Sequence, residues 1–122
     1  HFQLKNKQAK YVNVLKGKIL DLVIDLRKNS KTFGKVFKII LSQKNALGLY
    51  IPSGFAHAYY SYDKENIVYY KLDNYYDPNS ESGIIYNDKK LKIKWPSKKM
   101  VISEKDKKLP NFFQFKKKFK NL

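Results

Sequence analysis

Lys18-Ile19-Leu20-Asp21-Leu22-Val23-Ile24-Asp25-Leu26 is the stretch that decides the fold. It is bounded by the turn residue Gly17 on one side and by Asn29 and Ser30 on the other, and it predicts a β-strand over 18–26. Side chains alternate across a strand, so Leu20, Leu22, Ile24 and Leu26 share one face, and Ile19, Asp21, Val23 and Asp25 share the other. Two readings of Asp21 follow. If the leucine face packs between sheets, Asp21 faces water. If the opposite face lines a barrel interior, Asp21 is a buried carboxylate that needs a cation, and Lys10, one strand earlier, is the candidate.

Working outward, residues 11–15 form a shorter run before Gly17, and residues 35–41 follow the loop marked by Asn29, Ser30 and Gly34. Residues 49–51 lead into Pro52-Ser53-Gly54, a turn signal. Residues 56–62 and 66–72 predict a hairpin around Asp63-Lys64-Glu65, and 83–86 and 91–95 predict two short strands. Residues 103–122 are polar, with a short helix expected over 104–108. Many short strands with little helix predict an all-β fold, a β-sandwich or barrel of jelly-roll type.

A chain of 122 residues holds one domain, and 43% hydrophobic with 16% aromatic residues is enough to fill a core. No apolar run of membrane-spanning length is present, and no charged-then-apolar leader is visible. Cysteine is absent, which excludes a disulfide scaffold and a thiolate nucleophile or metal ligand. A net charge of +16 points first to nucleic acid, giving a basic nucleic-acid-binding β-barrel as one reading. Against it, Arg27 is the one arginine among 26 basic residues, whereas base readout and bidentate phosphate clamps favour arginine. The lysines are also spread along the chain, apart from the run Lys116, Lys117, Lys118 and Lys120. They read as solvated surface lysines or as a basic mouth that attracts an anionic small substrate.

Two histidines, His1 and His57, are present with no His-x-His pair, which excludes a three-histidine metal site. His57 stands where Pro52-Ser53-Gly54-Phe55-Ala56 enters a strand, a position where a lone histidine is more often structural than functional. No glycine-rich phosphate loop and no nucleophile elbow appear.

A set of ordered motifs goes further. They are His1-Phe2-Gln3, Gln8-Ala9-Lys10, the run from Gly17 through Asp21 and Asp25 to Arg27, and Ser30-Lys31-Thr32-Phe33-Gly34. Leu41-Ser42 with Asn45, Ile51-Pro52-Ser53-Gly54-Phe55-Ala56-His57, Tyr70-Lys71 and Tyr75-Tyr76-Asp77-Pro78 follow. Gly83-Ile84, Ile93-Lys94-Trp95-Pro96 and Ile102-Ser103-Glu104-Lys105-Asp106 close the series. In this order the sequence resembles the dTDP-4-dehydrorhamnose 3,5-epimerase family, cofactor-free sugar-nucleotide epimerases on the cupin jelly roll. The resemblance covers residues 1–110, expected as the jelly-roll domain, and leaves 111–122 as a basic C-terminal tail. It starts inside the family's Arg-Gly-Leu-His motif, so the family's upstream strands and substrate-binding Arg and Gln side chains are expected to be missing. Ala9 and Ala58 stand where glycine is usual, and Tyr86 where tryptophan is usual.

The resemblance implies a nucleotide-linked 4-keto sugar as substrate, epimerised without metal or other cofactor by a cytoplasmic homodimer that spans no membrane and binds no nucleic acid. By the same resemblance His1 is the general base, oriented by Asp106, and Tyr70 is the acid on the opposite face. Lys10 stabilises the enolate oxygen, with Asp21 holding its ammonium. His57, Glu81, Lys105 and Tyr76 contact the nucleotide sugar. The expectation is one cavity lined by His1, Lys10, His57 and Tyr70. Tyr69, Tyr70, Tyr75 and Tyr76 also suit plain aromatic strand packing. Two other outcomes remain open: an epimerase acting at C3 alone, or a catalytically inactive jelly-roll module that binds sugar nucleotides.

Overall fold

The computed structural model describes residues 1–119, so Lys120 of the lysine run lies outside the described residues. Eight strands and two short helices follow in order: β1 (Phe2–Gln3), β2 (Lys10–Lys16), β3 (Lys18–Asp25), β4 (Val36–Ser42), β5 (Gly48–Ile51), β6 (Phe55–Ser61), β7 (Ile67–Leu72), β8 (Glu81–Ser82), α1 (Glu104–Lys107) and α2 (Phe112–Lys118). One sheet runs β5-β2-β7, a second β4-β3-β6, and β1 pairs with β8. A reciprocal backbone pair joins β1 to the second sheet: the His57 amide donates to the His1 carbonyl at 2.9 Å, and the His1 nitrogen to the His57 carbonyl at 3.0 Å. Every pairing is antiparallel.

From β4 to β7 consecutive strands alternate between the two sheets, as β2 and β3 also do. This is jelly-roll connectivity. It corrects the expected hairpin: β6 pairs with β3 and β7 with β2, so the turn at 63–66 carries the chain from one sheet to the other. The two sheet-crossing turns pack together at one end of the barrel. Gly17 has φ +85°, and a Cβ there would lie 2.6 Å from the Glu65 carbonyl oxygen, so glycine is required for both its backbone and its missing side chain.

β3 is buried on both faces. Ile19 and Val23 join Val12, Val14, Leu41 and Ile51 between the sheets. Leu22 and Ile24 pack on the outside against Phe2, Ala56, Ile84, Phe112 and Phe115. The reading that left Asp21 facing water is therefore overturned: its face lines the interior, and it is 0% exposed.

The short strands expected over 83–86 and 91–95 do not form; this segment is irregular, and strand β8 precedes it. Ile84, Leu91, Ile93 and Trp95 instead cap the outer face of β3 and β6 as single apolar plugs. Asp88 holds that segment in place, accepting from the amides of Lys90, Leu91 and Phe112 at 2.8–2.9 Å. The helix expected over 104–108 is α1, with Ser103 as its cap. The polar reading of 103–122 missed α2, whose capping box at Asn111 starts a helix that buries Phe112 and Phe115.

Asp25 explains the Ser30-to-Gly34 motif. It is 2% exposed, and its carboxylate accepts from Arg27 Nε and Nη2, the Arg27 amide, Ser30 Oγ and Thr32 Oγ1 at 2.6–2.9 Å. The Arg27 hydrogen bond, helped by Ser30 and Thr32, holds the carboxyl far below the usual range against the opposing effect of burial. A carboxyl depressed on folding stabilises above its unfolded pKa, near 3.9, and the contribution is lost as pH falls below it. Asp25→Ala is expected to cost about 3 kcal/mol at neutral pH, and clearly less at pH 3, in denaturant titrations followed by circular dichroism. An equal loss at both pH values would refute the role.

Candidate functional site

Side chains directly opposite in an antiparallel ladder share a face. His57 lies opposite Val23, which belongs to the inner cluster, so His57 points between the sheets. His1 pairs with His57 and follows it inward. Glu81 lies opposite Gln3, two residues from His1, and extends the same inner row. Across the gap, Tyr70 lies opposite the fully buried Val12, and Lys10 opposite Ile51 and Leu72, so both also face inward. β7 is an edge strand, which leaves Tyr70 58% exposed at the open side.

Two hydrogen-bonded groups stand on this inner row. In the first, His57 Nε2 lies 2.8 Å from Asp21 Oδ2, and Asp21 Oδ1 is buried with no partner. Lys10 feels the charges of Glu81 and Asp21, and burial pushes its ammonium below the usual range against their pull. The cation expected to pair directly with Asp21 was Lys10; the hydrogen-bonding partner is His57, and Lys10 acts at longer range.

The second group centres on His1. Its Nε2 lies 2.6 Å from Asp106 Oδ1 and its Nδ1 3.1 Å from Glu81 Oε1. The other Glu81 oxygen accepts from Lys105 Nζ and, at 3.2 Å, from the Tyr76 hydroxyl. Burial raises the Glu81 carboxyl, but Lys105, His1 and Tyr76 outweigh it and hold the group below the usual range. Lys105 is raised in return, chiefly by its bond to Glu81. Asp106 reaches His1 from α1, where its amide donates to Ser103 Oγ.

The arrangement thus places an imidazole with a carboxylate behind it on one sheet, and a lysine and a phenol on the sheet opposite. A proton acceptor, a cation for a developing oxyanion and a proton donor are the parts that enolate chemistry needs. The contact from Glu81 to the second His1 nitrogen was not foreseen; the 80-residue separation of the two leaves no local signal. A cavity of about 480 Å³ opens beside Lys10, walled by Gln3, Lys7, Gln8, Arg27 and Lys28 among others, a basic mouth. His1, His57 and Tyr70 are not in its wall, so it is not the single cavity expected for the four groups. No helix among the described residues is long and apolar enough to cross a membrane.

The sequence pattern of the dTDP-4-dehydrorhamnose 3,5-epimerase family matches residues 1–114. The chain is 42% identical over 109 residues to the dTDP-4-dehydrorhamnose 3,5-epimerase of Methanothermobacter thermautotrophicus, covering 87% of this chain and 59% of that protein. Two solved structures are similar. One is the Bacillus anthracis dTDP-4-dehydrorhamnose 3,5-epimerase with TDP and PPi bound, with TM-score 0.87 and 42% identity over 90% of this chain and 63% of that one. The other is the Legionella pneumophila dTDP-6-deoxy-D-glucose-3,5-epimerase in complex with dTDP-4-keto-L-rhamnose, with TM-score 0.87 and 38% identity over 90% of this chain and 59% of that one. The chain therefore spans about three fifths of the length of these relatives.

Proposed function

The chain belongs to the dTDP-4-dehydrorhamnose 3,5-epimerase family, and from that premise we infer that it epimerises a dTDP-linked 4-keto-6-deoxy sugar, as a cytoplasmic enzyme without a cofactor. A ketone at C4 acidifies the C–H bonds at C3 and C5. Loss of either proton gives an enolate, and return of a proton to the opposite face inverts the carbon. His1 takes the proton, with Asp106 holding the ring. Lys10 meets the charge that grows on the ketone oxygen, and the Asp21–His57 pair fixes the wall facing it. Tyr70 returns a proton from the facing sheet. Glu81, Lys105 and Tyr76 hold the nucleotide sugar. The observation that carries this reading is the convergence of His1, His57, Asp21 and Glu81 on one inner face, with Lys10 and Tyr70 facing them. The test is proton NMR of dTDP-4-keto-6-deoxyglucose in D2O with catalytic amounts of the protein. Deuterium entering C3 and C5 supports the assignment, entry at C3 alone makes it a 3-epimerase, and entry at neither refutes it.

The outer face of β5-β2-β7 presents Tyr11, Tyr50 and Tyr69 to solvent, an aromatic surface of the kind that subunit interfaces bury. The proposed enzyme is accordingly a homodimer. Light scattering is expected to give twice the chain mass; a monomer at all concentrations refutes this.

A further inference from the structure

His1 has a carboxylate on each ring nitrogen, Asp106 on Nε2 and Glu81 on Nδ1. An ionised carboxylate can only accept, so both contacts are hydrogen bonds only while both ring nitrogens carry protons. A general base needs one nitrogen bare and aimed at the C–H bond. In this arrangement neither is.

The two carboxylates are held differently. Asp106 makes the shorter bond, 2.6 Å, and sits in the capped first turn of α1. Glu81 makes the longer one, 3.1 Å, from a two-residue strand. Its remaining oxygen is tied to Lys105 and Tyr76, two largely exposed side chains open to a ligand. An anionic ligand and the Glu81 carboxylate therefore compete for the same ammonium.

We propose that Glu81 is a displaceable cap on His1, removed when the phosphate groups of a bound nucleotide draw Lys105 away from it. Without Lys105 the carboxylate becomes a better proton acceptor than before, since burial then raises it with less opposition. The Nδ1–H bond breaks, an O–H bond forms on Glu81, and the neutral acid swings off, leaving a bare Nδ1 facing the site. Glu81 is in this sense a positioning residue: it sets when the base is open. The cap keeps the base shut until the nucleotide end of the substrate is seated. The identity of the trigger rests on the epimerase reading; the cap itself does not.

The test is NMR of the protein with 15N-labelled histidine rings, His1 being told from His57 by the variant His57→Asn. Without ligand, Glu81→Ala and Lys105→Met should each move the His1 Nδ1 resonance from the position of a protonated nitrogen to that of a bare one, with backbone amide spectra otherwise retained. Saturating dTDP should move the wild-type resonance to the same place and leave the Lys105→Met resonance where it was. Should Glu81→Ala fold poorly, Lys105→Met decides alone, since its side chain is exposed. A Lys105→Met resonance at the wild-type position overturns the cap. dTDP that binds wild-type protein without moving Nδ1 overturns the trigger. dTDP that does not bind refutes the nucleotide-sugar reading and the trigger with it, while the two unliganded variants still decide the cap.

Discussion

His1→Ala is expected to bring deuterium uptake at both C3 and C5 of dTDP-4-keto-6-deoxyglucose down to the rate without enzyme. A positioned general base contributes about 10²–10⁴-fold, and every later step waits on the enolate that it forms. The fold should survive. The His1 pairing with His57 is made by backbone atoms, which the substitution keeps. Glu81 retains Lys105 and Tyr76, and Asp106 is exposed enough for water to replace the ring. The comparison is therefore exchange rate against an unchanged amide spectrum. Uptake within tenfold of wild type would remove His1 from the role of base, and His57, hydrogen-bonded to Asp21, would be the group to test next.

Much of this was readable in the residues, and the failures have physical causes. Short runs between turn residues located β2 to β7 to within one residue at each end, because each strand carries its own local signal. Which strands pair is a different matter. The five residues between β6 and β7 suit a hairpin and a crossing between sheets equally, and only the strand pairings, β6 with β3 and β7 with β2, show that the turn crosses. The apolar residues of 83–95 look like strands because burial, not pairing, selects them. Phe112 and Phe115 were hidden by the lysines beside them. Alternation placed Asp21 with Ile19 and Val23 but said nothing about which face was inside, since β3 is covered on both. In the site, the contact from His1 to Asp106 spans 105 residues, beyond any spacing rule, and it was the ordered motifs that pointed to both ends.

Tyr70→Phe should separate exchange from inversion. With the base intact, a proton can leave to His1 and return from it, so deuterium still enters the sugar with the original configuration. Inversion needs delivery from the other side, and removal of a positioned acid should slow it by about 10²–10³-fold. Geometry favours Tyr70 over its neighbour for this role. The Tyr76 hydroxyl is already given to Glu81, beside His1 and therefore on the side of the proposed base. Tyr70 stands on the facing sheet, opposite Val12, with its ring largely exposed at the open edge. Because the lost group is a single hydroxyl on an exposed ring, stability should change little, within about 0.5 kcal/mol. The two readouts come from one experiment: the C3 and C5 proton signals report exchange, and the coupling pattern of the ring protons reports configuration. Retained exchange with lost inversion assigns the acid to Tyr70. Inversion at the wild-type rate takes Tyr70 out of the chemistry and leaves it as an aromatic wall of the site.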